Sequence, residues 1–115
     1  MPNSLTNKQK GITLIGGGEL LESTAKLLIE KYNIEVFIVL APRHKDTIDI
    51  QLVKKIGCRY LITDDINNNL DLIRTLGLFS RACLCFGPAW VFNKEIIELY
   101  SGCIYNFKGI PIPSY

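Results

Sequence analysis

Three successive glycines, Gly16-Gly17-Gly18, stand between an apolar run, Ile12 to Ile15, and a stretch with helical spacing. A strand, a glycine turn and a helix N-terminus in that order can cradle a phosphate, because the turn bends tightly and the first helical N–H groups point at the anion. As a dinucleotide motif the run is incomplete. Leu21 occupies the place of the third glycine, and the next apolar run ends in Ala41-Pro42-Arg43, with no acid to hold a ribose. Arg43 would suit a 2′-phosphate, so an NADP site and a plain tight turn both stay open. His44, the single histidine, lies between Arg43 and Lys45. It is either the chain's catalytic imidazole or part of a solvated basic turn, and its loop position favours the turn. Trp90, after Gly87-Pro88, can stack on a flat ligand ring or plug the core. Of the cysteines, Cys58, Cys83, Cys85 and Cys103, the middle two lie two apart in an apolar run and project to the same face of a strand. Their spacing is not that of a redox pair, and no second Cys/His pair follows to complete a zinc site. Reduced core cysteines of a cytosolic protein are expected.

Short apolar runs alternating with amphipathic stretches predict the framework, a parallel sheet covered by helices. Strands are expected at Ile12 to Ile15, Val36 to Leu40, Tyr60 to Ile62, Ala82 to Phe86 and Cys103 to Phe107. The first helix carries Leu20, Leu21, Thr24, Leu27 and Leu28, with Glu22 and Lys26 placed to pair on its outer side. Asp46 or Thr47 is expected to cap a second helix, with Ile48, Leu52, Val53 and Ile56 inward and Gly57 as its stop. A third helix carries Leu70, Ile73 and Leu76 and ends at Gly77. Asn93 caps a fourth with Ile96, Ile97 and Tyr100 inward, and two prolines make Gly109 to Pro113 a loop. Right-handed crossovers then predict a single α/β domain over residues 1–115, a three-layer doubly wound sheet in the order 3-2-1-4-5. The switch of that order lies between strands one and four, where ligands bind beyond the carboxyl ends. The residues it brings there are Gly16 to Glu19 and Gly87 to Trp90.

Composition narrows the classes. A hydrophobic share of 48% and a charged share of 21% are those of a globular domain. A net charge of +2 with scattered basic residues argues against a nucleic-acid partner. No run approaches the roughly 18–20 apolar residues of a membrane span. Met1 to Lys10 is polar without an apolar signal core, which predicts a cytoplasmic protein.

The segment Asn106-Phe107-Lys108-Gly109-Ile110-Pro111-Ile112-Pro113-Ser114-Tyr115 resembles the active-site strand and loop of folate-dependent formyltransferases. These include methionyl-tRNA, glycinamide ribonucleotide and sugar N-formyltransferases. The family carries Asn, any residue, His at the end of its fifth strand, then a loop closing on Pro, any residue, Tyr. Asn106, Pro113 and Tyr115 fall in those places. Phe86-Gly87-Pro88-Ala89-Trp90-Val91-Phe92-Asn93-Lys94-Glu95-Ile96-Ile97 is similar to the segment that walls the family's folate pocket, and Cys103-Ile104-Tyr105-Asn106 to its approach to the asparagine. The resemblance spans the whole layout, with specific motifs from about Ala82 to Tyr115.

The resemblance implies formyltetrahydrofolate as cofactor, held by Phe86, Gly87, Pro88, Ala89, Trp90 and Val91. It implies transfer of the formyl group to a primary amine of a sugar-nucleotide or methionyl-tRNA type acceptor, with Asn106 stabilising the oxyanion. The family's histidine is Lys108 here, and its aspartate falls beyond Tyr115. A charged lysine offers only donors; it becomes a base only if its pKa drops by about three units. Impaired or absent activity is therefore expected of these 115 residues. A non-catalytic folate- or partner-binding module is the alternative, and an NADP-binding domain a further one. With no later strand in the chain, strand 103–107 is expected at an incomplete sheet edge, able to pair with a second copy.

Overall fold

The computed structural model describes residues 11–87, 92–100 and 103–107, with the side chains of Leu70 and Phe107 outside that description. Each apolar run forms a parallel strand: β1 (Gly11–Gly16), β2 (Val36–Leu40), β3 (Arg59–Ile62), β4 (Ser80–Phe86) and β5 (Ile104–Phe107). Helices fill the crossovers: α1 (Glu19–Glu30), α2 (Ile50–Lys55), α3 (Leu70–Phe79) and α4 (Lys94–Leu99). Short 3₁₀ turns precede α2 (Pro42–Thr47) and α3 (Ile66–Asn68). The five strands form one sheet in the order β3-β2-β1-β4-β5, as the periodicity predicts.

The side-chain alternation of the strands separates two cores. Leu14, Ile38, Leu40 and Phe86 face α1 and α2, packing on Leu21, Ala25 and Val53. Ile15, Val39, Cys83 and Cys85 face α3 and α4, packing on Leu72, Leu76, Ile96 and Tyr100. Helices on both faces explain why β1, β2 and β4 read as nearly continuous apolar runs. On the second face a polar pair is enclosed: the Thr13 and Ser80 hydroxyls lie 2.6 Å apart, and Ser80 also bonds the Leu76 carbonyl.

Several local expectations are corrected. The cap of α2 is Asp49, whose carboxylate accepts from Leu52 N–H; Asp46 and Thr47 belong to the 3₁₀ turn. Gly77 lies inside α3, which runs on to Phe79, because the chain passes straight into β4. The buried seam of α1 is Leu21 and Ala25, while Leu20 and Leu27 are exposed. Glu22 bonds the Asp49 backbone N–H at 2.6 Å, so its carboxylate ties α1 to the cap of α2. In α4, Ile96 and Tyr100 are buried as expected, but Ile97 is 47% exposed. Cys58, Cys83 and Cys85 are buried, and Cys103 is exposed rather than in the core. No helix among the described residues is long and apolar enough to cross a membrane.

Candidate functional site

The switch lies between β1 and β4, where strand order forces an unusually close backbone contact. A Cβ on Gly16 would stand 2.1 Å from the Phe86 carbonyl oxygen, and Gly16 has φ 132°. The Gly17 N–H donates to that carbonyl at 3.2 Å. Gly18, at φ 94°, precedes α1. Its N–H donates to Thr47 Oγ1 at 2.9 Å, and the Thr47 hydroxyl donates to the His44 carbonyl at 2.6 Å. A Cβ on Gly17 would meet Thr47 Oγ1 at 2.5 Å and His44 Cβ at 2.9 Å. The glycines thus let the 3₁₀ turn after β2 close down on the turn after β1. A phosphate here would find the Gly18 donor already used and Glu19 and Glu22 in the first helical turn, where carboxylates already answer the helix dipole.

His44 is half-buried within the 3₁₀ turn, with Arg43 and Lys45 on either side exposed, as expected of a solvated basic turn. Its Nδ1 is enclosed and has no hydrogen-bond partner. Burial, then the Arg43 guanidinium, lowers its pKa, while a backbone hydrogen bond with Gly16 acts the other way. The ring is therefore held neutral at physiological pH, beside the glycine turn.

Of the residues assigned by resemblance, Phe86, Gly87 and Asn106 are described; Pro88, Ala89, Trp90, Val91 and Lys108 lie outside the described residues. Register pairs Cys85 with Asn106 and Phe86 with Phe107. That brings exposed Asn106 to the carboxyl end of the sheet, one strand from the start of the 86–91 segment. The Phe86 ring is buried in the α1/α2 core at 7% exposure. Gly87, at φ 61°, turns the chain out of β4 in a conformation that favours glycine.

Sequence reasoning missed the residues that tie this end together. Asn67 Oδ1 accepts from the Asn93 N–H at 2.9 Å, and Asn93 Oδ1 accepts from Ile96 N–H at 3.1 Å, capping α4. The run Asp65-Ile66-Asn67-Asn68-Asn69 was their signal, since Asp and Asn bond nearby backbone in turns. An open depression of about 490 Å³ lined by Thr63, Asp65, Asn68, Asn69 and Asp71 lies beside it. A cavity of about 230 Å³ is lined by Asn33, Glu35, Arg59 and Phe79; it sits at the opposite, amino end of the strands, away from the switch.

The Cys83 and Cys85 sulfurs lie 3.8 Å apart on one face, as alternation requires. Cys83's hydrogen bond to Cys85 and its burial push its thiol well above the ordinary range, and burial alone raises Cys58 to about 12. Among the described residues no group of three or more His, Cys, Asp or Glu is placed to hold a metal ion. Comparison with protein families, curated sequences and solved structures finds no match to this chain.

Proposed function

We propose that this chain is a folate-binding domain of the formyltransferase type, whose chemistry is transfer of a formyl group from formyltetrahydrofolate to a primary amine. The observation that carries the reading is the register of β4 and β5, Cys85 beside Asn106. It supports the reading because an amide suited to an oxyanion lies at the carboxyl end of β5, beside the end of β4 and one strand from the topological switch between β1 and β4. Formyltetrahydrofolate supplies the formyl carbon, on whose oxygen negative charge gathers as the amine attacks. The Asn106 side-chain N–H donates to that oxygen, a neutral donor worth most where charge develops. Gly87 to Val91 walls the cofactor, with Trp90 as the stacking surface. Lys108, when charged, adds a second donor to the oxyanion and leaves the amine's proton without a base. That lysine favours binding without efficient turnover, so the non-catalytic module is the second reading.

One experiment separates the readings. Calorimetry and Trp90 fluorescence with 5-formyltetrahydrofolate, with NADP as control, are expected to show binding of the folate alone. Turnover of 10-formyltetrahydrofolate with an amino-sugar nucleotide or an aminoacyl-tRNA is expected to be absent. Measurable turnover would overturn the non-catalytic reading. NADP binding without folate binding would replace both readings with the dinucleotide one.

A further inference from the structure

We propose that the cavity at the amino ends of the strands binds one apolar or aromatic α-amino acid, whether or not the switch at the other end binds a folate. The cavity measures about 230 Å³, where about 150 Å³ admits a benzene-sized molecule. Its apolar wall is Ile29 and Ile34, from the end of α1 and the loop after it, with Phe79 from the end of α3. Its polar rim is Asn33, Glu35 and Arg59, all three exposed.

The fold fixes these walls. Ile34 N–H donates to the Leu28 carbonyl at 2.9 Å, which folds the loop back on α1. The Glu35 carbonyl accepts from Ile12 N–H at 2.9 Å, tying the rim to β1. Phe79 stands edge-on to Phe37 with ring centroids 5.8 Å apart. It also lies so close to Gly11 that a Cβ added there would be 2.6 Å from the ring.

Two opposite charges share the rim. Phe37 pairs with Arg59 across β2 and β3, and Glu35 lies two residues before Phe37, so alternation sets all three on one face. Neighbouring strands lie roughly 5 Å apart and two residues span roughly 7 Å, a gap within reach of both charged side chains. Yet among the described residues neither Glu35 nor Arg59 is in an ion pair. An unengaged guanidinium takes a carboxylate through two N–H donors, and an unengaged carboxylate takes an ammonium. An anion alone would meet Glu35, and a cation alone would meet Arg59; a zwitterion answers both. Its apolar body then lies against Ile29, Ile34 and Phe79, whose ring favours an aromatic side chain.

The test is calorimetry on the full chain with L-phenylalanine and L-leucine. Beside them stand 3-phenylpropionate, which lacks the ammonium, and phenethylamine, which lacks the carboxylate. At least one amino acid is expected to bind with a Kd of about 1 mM or tighter, and both analogues at least about tenfold more weakly. Arg59→Gln and Glu35→Gln, at exposed positions, are each expected to weaken that binding about tenfold. Their thermal midpoints are expected within about 2 °C of the parent, which separates a binding loss from unfolding. No saturable binding of either amino acid up to about 10 mM would overturn the proposal. So would equal affinity for either analogue, which would mark a site for a single charge. Parent-like binding in either variant would overturn it as well, since the ligand would then sit elsewhere.

Discussion

At the scale of single residues, the enclosed Nδ1 of His44 carries a consequence for pH. Burial and Arg43 depress its pKa below the ordinary imidazole range, so the unfolded chain binds its proton more readily than the folded one. Such a group leaves stability intact above the unfolded pKa and removes it as pH falls through the folded pKa. Thermal unfolding from about pH 7.5 to about pH 5.5 should therefore show a steeper loss in the parent than in His44→Gln, the difference isolating this ring from the carboxylates. Identical slopes would mean that His44 titrates as it would in water. The residue itself was visible in the sequence as the lone histidine; its place beside the Gly17 backbone was not, because that approach needs β1 and β2 to lie side by side.

At the scale of elements, the β1–β4 joint is the most demanding contact. Gly16 combines φ 132° with a place 2.1 Å from the Phe86 oxygen for any added Cβ. Gly16→Ala must strain the backbone and part the strand ends at once, so a loss of about 3 kcal/mol or more is expected by urea unfolding. A loss under about 1 kcal/mol would show that the joint relaxes freely. Gly18, with open space at its Cβ position, carries only the conformational part of that penalty. The glycine run was legible as a turn, and the strands and helix faces were legible as periodicity. The caps were read with mixed success for one reason. Asn93 precedes its helix with no competitor, whereas Asp46, Thr47 and Asp49 all lie within four positions, and only the packing of the 3₁₀ turn on Gly18 selects Asp49.

At the scale of the whole molecule, β5 ends the described sheet. Cys83 N–H donates to the Cys103 carbonyl, so by alternation Ile104 and Asn106 direct their backbone groups away from β4. No charged side chain lies within Ile104–Phe107, and Tyr105 is 55% exposed. Uncharged strand edges of this kind pair with other edges. The purified chain is expected to self-associate through β5, and Tyr105→Lys to shift it toward monomer. Light scattering over a concentration series decides the matter; a parent that stays monomeric throughout would show that this edge is already covered.

The order 3-2-1-4-5 and the two-faced core followed from the sequence alone, because alternating apolar runs and amphipathic stretches admit few right-handed arrangements. The same periodicity placed Gly16–Gly18 at the switch and put Cys83 and Cys85 on one face. It could not place Asn67 against Asn93, Glu22 against the Asp49 backbone, or Thr47 on Gly18. Each of those bonds joins residues 26 or more positions apart, and hydrogen-bonding side chains in turns carry no period to read. Local propensity states that an asparagine will find a backbone N–H; only the packed sheet decides which loop provides it.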